Sequence, residues 1–237
     1  MKIVFTDVSK NVPEIFYPES SKNIIPTWYK KMSSYINGEK RPIGDGQTTG
    51  TIKRCMPVFD SIGAGYIIKT HSDLYVSTIT NTDELGIETK TKWFEWSSSN
   101  ILTFHEAIQA PIYPGVNHDK IPKFMNPWSI ETPKGYSVMI LPPMHRDLEI
   151  SILPGIVDTD KYINPINFPF MLSNPNFEGL IPAGTPIAQI VPFKRDRWSI
   201  GFGNDKNISK INKSFFLLKS RIFDSYKTQF REIKEYI

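Results

Sequence analysis

Nineteen prolines and fourteen glycines are spread along all 237 residues of the chain rather than gathered in one linker. A proline removes a backbone donor and fixes φ, so it cannot sit inside a long helix, and the spacing leaves only short runs between breaks. That distribution excludes a helical bundle and fits many short strands joined by tight turns. The runs between the breaks agree. Residues 65–69, 74–80, 92–96, 136–141, 148–153, 166–172 and 187–193 are β-rich, several in apolar/polar alternation, and residues 2–5 form an opening strand-like run. The chain is therefore expected to be mainly β, a β-sandwich. Its core spans 51–200, with a Pro-rich functional loop at 108–128 and an N-terminal arm or edge cover at 1–50, where Pro26 opens a short helix near 26–32.

The C-terminal stretch reads differently. Ile208, Ile211, Phe215, Leu218, Ile222, Tyr226, Phe230 and Ile233 recur at steps of three and four, which predicts an amphipathic α-helix over 205–237 packing on its own sheet or on a neighbour. Much of the net charge of +4 lies in or beside it, at Lys194, Arg195, Arg197, Lys206, Lys210, Lys213, Lys219 and Arg221. A nucleic-acid footprint needs a continuous basic stripe with recognition logic, so a solvated helix face is the reading and nucleic acid is not an expected partner. Hydrophobic residues at 40% provide enough apolar mass for one core. Cys55 is the only cysteine, so the chain forms no internal disulfide and no cysteine zinc cage, which fits a reducing compartment. No apolar run reaches the length of a membrane span, and residues 1–5 are too short for a signal segment; a soluble, unexported, non-membrane protein is expected.

Two segments carry a resemblance. Leu153-Pro154-Gly155-Ile156-Val157-Asp158-Thr159-Asp160-Lys161-Tyr162 and Ile181-Pro182-Ala183-Gly184-Thr185-Pro186-Ile187-Ala188-Gln189-Ile190-Val191 resemble consecutive signatures of the trimeric dUTPases, over residues 133–193. The resemblance implies a dUTPase-like β-clip core and a homotrimer. It also implies a water-orienting role for Asp158, and nucleotide contacts from Arg146, Lys161, Tyr162 and Arg195 with magnesium if a nucleotide is hydrolysed. The chain departs from the pattern: Lys161 stands where the family has its stacking Tyr, with Tyr162 displaced by one, and no serine accompanies Arg146. Residues 55–198, with Pro127-Trp128 and Pro192-Phe193-Lys194-Arg195, are also similar to a family of proteins from bacteriophages and some bacteria. That likeness implies a phage or bacterial setting, in a virion or the host cytoplasm.

Other chemistry is thinner. His71-Ser72-Asp73 and His145-Arg146-Asp147 are His-x-Asp pairs of the kind that open a non-haem iron triad, and His71 with Asp73 could recruit His145 or His118. No Gly-x-Ser-x-Gly elbow is present, and Gly44-Asp45-Gly46 lacks the Lys-Ser/Thr pair of a phosphate loop. Trp93, Phe94 and Trp96 could stack bases, but aromatics at alternate strand positions are more often core, so base stacking is a minor reading. Retained core signatures beside missing catalytic ones lead to the expectation of a non-catalytic protein that self-associates or joins other virion or assembly proteins; a nucleotide-binding protein and an iron oxygenase are the alternatives.

Overall fold

The computed structural model of the chain describes residues 1–44, 47–96, 102–109, 120–220 and 223–237. In chain order the strands are β1 (Val4–Asp7), β2 (Glu19–Ser20), β3 (Pro42–Gly44), β4 (Gln47–Thr48), β5 (Tyr66–Lys69), β6 (Leu74–Thr82), β7 (Glu88–Trp96) and β8 (Leu102–Glu106). They continue with β9 (Lys120–Phe124), β10 (Trp128–Glu131), β11 (Tyr136–Leu141), β12 (Ile150–Ile152), β13 (Gly155–Val157), β14 (Phe168–Leu172), β15 (Gly179–Ile181) and β16 (Pro186–Lys194). The α-helices are α1 (Thr27–Lys31), α2 (Met56–Ile62), α3 (Asp205–Ser220) and α4 (Ser225–Gln229). The chain is thus mainly β with a C-terminal helix. Among the described residues no helix is long and apolar enough to cross a membrane.

Two compact units share the chain. Met1–Ser21 and Gly65–Arg195 form one; Lys22–Ala64 and Asp196–Ile237 form the other. The arm read at 1–50 is therefore divided at Ser21, and its later part belongs with the C-terminal stretch.

All strand pairs of the first unit are antiparallel. They build a sheet β13-β11-β16-β5-β2, a sheet β12-β14-β9-β8, a sheet β15-β6-β7 and the pair β1-β10. Each contributes to a single core: Ile68, Val138 and Ile190 from the first sheet, Phe124, Ile152 and Phe170 from the second, Leu74, Val76 and Phe94 from the third, and Ile130 from the pair. Burying such side chains contributes roughly 1.5–3 kcal/mol each. Period-two alternation produces this, because odd and even residues of a strand face opposite ways. β16 departs from it: Ile187, Ala188, Gln189 and Ile190 are all buried, so this strand is covered on both faces. Gly65 makes the approach of β5 to β16 possible; its φ is +66°, and a Cβ there would stand 1.9 Å from the Ile190 carbonyl oxygen.

Within 108–128 the structure corrects the expectation of one long loop. Lys120–Phe124 is a strand between β8 and β14. Pro122 is accommodated because the ladder to β14 is short, pairing only Phe168 with Phe124 and Pro169 with Lys123. Residues 110–119 of that loop lie outside the described residues, as do His118, Asp45-Gly46 and Ile222 of the apolar stripe.

In the second unit the expected short helix near Pro26 is present as α1, with Pro26 at its N-cap position. The C-terminal helix is shorter than its periodicity predicts. α3 ends at Ser220, Asp224 takes a left-handed conformation (φ +64°) ahead of α4, and residues 231–237 are not helical. The non-helical tail is held by contacts to α2. Asp60 of α2 accepts from Arg231 Nη2 at 2.7 Å and Lys234 Nζ at 3.0 Å. The Arg231 guanidinium also lies 5.6 Å from the centroid of Phe59.

Candidate functional site

The register of the first sheet gathers three sequence-distant residues. β11 pairs with β13 so that Val138 faces Val157, which puts Ser137 opposite Asp158 one step on. β11 pairs with β16 so that Tyr136 faces Lys194, and Arg195 N–H then donates to the Gly135 carbonyl at 2.9 Å. Asp158, Ser137 and Arg195 thus meet at one end of the sheet, joined by Asp160 from the turn after β13.

Their hydrogen bonds leave little capacity unused. Arg195 Nη1 donates to the Tyr136 carbonyl (2.9 Å), Ser137 Oγ (2.8 Å) and Asp160 Oδ1 (2.8 Å), while Nη2 donates to Asp160 Oδ2. Asp160 Oδ2 also accepts the Gly135 N–H at 2.8 Å. Ser137 Oγ, having accepted from Arg195, donates to Asp158 Oδ1 at 2.6 Å, and Arg195 Nη1 stands 3.2 Å from that same oxygen. The Asp160 side chain is 3% exposed and that of Asp158 is 53% exposed. The Arg195 bond and the Gly135 N–H hold the Asp160 carboxyl down to about 2. The Ser137 hydroxyl, followed by Arg195, holds Asp158 below the usual carboxylate range.

This geometry ties strand ends together. A guanidinium held bidentately by one carboxylate, plus a carbonyl and a hydroxyl, can present its Nη1 edge to a phosphate only if Asp160 lets go. A carboxylate held well below neutral is a poor general base at pH 7. Asp158 remains ionised and half-exposed, and its peptide carbonyl closes the turn by accepting the Lys161 and Tyr162 N–H groups at 2.9 Å. The side chains of Lys161 and Tyr162 are exposed. Arg146 follows the far end of β11, in the turn whose Met144 N–H is held by buried Gln189 Oε1 at 2.8 Å. Loss of water pushes its guanidinium pKa down. Asp158 and Arg195 are therefore brought together, with Lys161 and Tyr162 alongside in the same turn, and Arg146 sits on a different turn.

The His-x-Asp residues also have structural employment. Asp73 Oδ1 accepts the Ala183 N–H at 2.7 Å and so braces the turn between β15 and β16. His71 packs edge-on to Phe124, ring centroids 5.8 Å apart, and burial pushes its pKa down. Its Nδ1 and the neighbouring Ser72 Oγ have no hydrogen-bond partner among the described residues. His145 is exposed, with φ +56°. Among the described residues no three His, Cys, Asp or Glu side chains gather as a metal site.

The second candidate is a surface that the residue-by-residue search for catalytic types passes over. Trp198, Ile200 and Phe202 are 90%, 87% and 93% exposed, at alternate positions of an irregular segment of the second unit. Ile208, Ile211, Phe215, Phe216 and Leu217 of α3 follow, each about half-exposed or more. The signal was available: residues 198, 200 and 202 alternate with Arg197, Ser199, Gly201 and Gly203, as a strand with one apolar face does. No family model matches the sequence, and no curated protein does.

Proposed function

We propose that this chain is a non-catalytic β-sandwich protein that acts by self-assembly, as a homo-oligomeric component of a virion or another symmetric particle. The observation that carries the reading is the run of exposed large apolar side chains from Trp198 to Leu217. Folded monomers rarely leave so many large apolar side chains in water within one stretch of chain, and exposed apolar surface of this kind marks association sites. Charge supports it from the other side: Arg195, one of the cations expected to meet a nucleotide, is held bidentately by Asp160. A nucleotide reading would require that fork to open.

Mass photometry of the full chain over a wide concentration range tests the proposal. A defined oligomer is expected. The double variant Trp198→Ser/Phe202→Ser, both at nearly fully exposed positions, is expected to leave the far-ultraviolet circular dichroism unchanged. It should weaken association about tenfold or more, the usual effect of removing aromatic anchors. A wild-type protein that stays monomeric at every concentration sinks the reading.

A further inference from the structure

The exposed helix face has a counterpart elsewhere on the chain. In the sheet β15-β6-β7, Leu74, Val76, Phe94 and Ile181 point into the core. Strand geometry therefore turns their neighbours outward. Those neighbours are Tyr75 and Ile79 on β6, Trp93 on β7 and Leu180 on β15, all exposed by about two-fifths to one half. The register makes them adjacent: Tyr75 lies between Leu180 and Glu95, Ser77 faces Trp93, and Ile79 faces Thr91. An outward sheet face is ordinarily polar, and this one is an apolar strip rimmed by acid. The hairpin that carries it holds Asp83, Glu84, Glu88 and Glu95 against Lys90 and Lys92. Lys92 is engaged within the unit by Thr78 Oγ1 at 2.8 Å and the Phe177 carbonyl at 3.1 Å.

α3 has the opposite sign. It carries Lys206, Lys210, Lys213 and Lys219 against Asp205. Ile208, Ile211 and Phe215 follow one another at helical spacing, and Lys219 lies four residues after Phe215 and three after Phe216, so it shares their side of the helix. Lys206, Lys210 and Lys213 fall on the side of the helix opposite Ile208 and Phe215, so Lys219 is the lysine that borders the apolar face. An apolar helix face with a lysine at its edge matches an apolar sheet face with a glutamate at its edge.

We infer that α3 of one copy seats on the outer face of the β15-β6-β7 sheet of a second copy, with Lys219 meeting Glu95 and the Ile208–Phe215 side of the helix covering Tyr75 and Trp93. This rests on the self-assembly reading and names the two surfaces through which it operates. The area is adequate. Aromatic side chains bury roughly 150–250 Å² each, so half of that from each member of both faces, with the Trp198–Phe202 segment added, removes on the order of 1,000 Å² per contact. Each copy gives one helix and accepts one. In a reciprocal dimer the contact occurs twice and passes the roughly 1,200 Å² of a stable interface, whereas in a closed ring each neighbour contributes one contact near the lower bound.

Charge reversal and cross-linking on the full chain test it. Glu95→Lys and Lys219→Glu should each raise the dissociation constant about five- to tenfold, and the double variant should return most of the loss, since the reversed pair is again complementary. In a Cys55→Ser background, Ser77→Cys and Asn212→Cys variants of distinguishable mass are mixed and oxidised. A disulfide-linked pair between the two kinds of chain is the expected result. Wild-type oligomers that ignore both charge reversals and give no mixed cross-link overturn this interface while leaving self-assembly standing. A chain that is monomeric throughout overturns both.

Discussion

Asp158 and Asp160 stand two residues apart and do different things because one sheet edge treats them differently. Asp160 is buried under the Arg195 fork and the Gly135 N–H; Asp158 faces water and keeps one oxygen on Ser137. The pH dependence follows from Asp160. Its folded pKa of about 2 lies below the unfolded aspartate value of about 3.9. A depressed folded pKa stabilises the native state fully above the unfolded value, and that contribution is lost as pH falls through the folded one. Asp160→Asn should therefore melt several degrees below the wild type at pH 7, since it keeps the shape but gives up the charge-assisted fork. The gap should close between about pH 4 and pH 2, where the wild-type carboxyl itself becomes protonated. Equal melting temperatures at pH 7 would remove Asp160 from the account of what holds this edge. The sequence made Asp158 legible, because it sits in a recognisable run. Ser137 and Arg195, which determine what Asp158 can do, were separable from other polar residues only once the register of β11 against β13 and β16 was known.

At the scale of elements, the β-rich runs bounded by turn residues were legible to within a residue or two, as Tyr136–Leu141 and the 187–193 run show. Those that failed did so for physical reasons. Lys120–Phe124 was masked by Pro122, which is tolerated because the adjoining ladder is short. Met56–Ile62 is too brief for any period to show, and Pro57 in its first turn reads as a break as readily as a start. The C-terminal stripe continued on paper past α3, yet residues 231–237 are not helical, and Arg231 and Lys234 there pair with Asp60. Arg231→Ala leaves the 14%-exposed Asp60 carboxylate with Lys234 alone. It should cost about 2 kcal/mol, the usual effect of losing hydrogen bonds to a charged group. Urea denaturation should show this as a lower midpoint with an unchanged slope. An unaltered midpoint would mean that the tail adds nothing to the stability of the second unit.

For the whole molecule, the informative surface is the one that chemistry-bearing residues do not mark. A catalytic site announces itself through residue types with few other uses, whereas Trp198, Ile200 and Phe202 are unremarkable until each is found about nine-tenths exposed. Alternation hinted at a strand, but a strand needs a partner, and the segment that contains them has no assigned secondary structure within its own chain. Assembly would supply cover, and cover can be read directly. Trp198 and Phe202 are aromatic cleavage sites in an extended, exposed segment, so chymotrypsin should cut there rapidly in dilute protein. As the concentration rises through the dissociation constant, the cleavage rate should fall in proportion to the free monomer, because only the uncovered segment fits the protease. The Trp198→Ser/Phe202→Ser variant should lose these cuts while its remaining cleavage sites respond less to concentration, since it associates more weakly. If cleavage of the wild type after Trp198 proceeds equally fast at all concentrations that give oligomers, the segment lies outside the interface, and the helix face of α3 must hold the copies together without it.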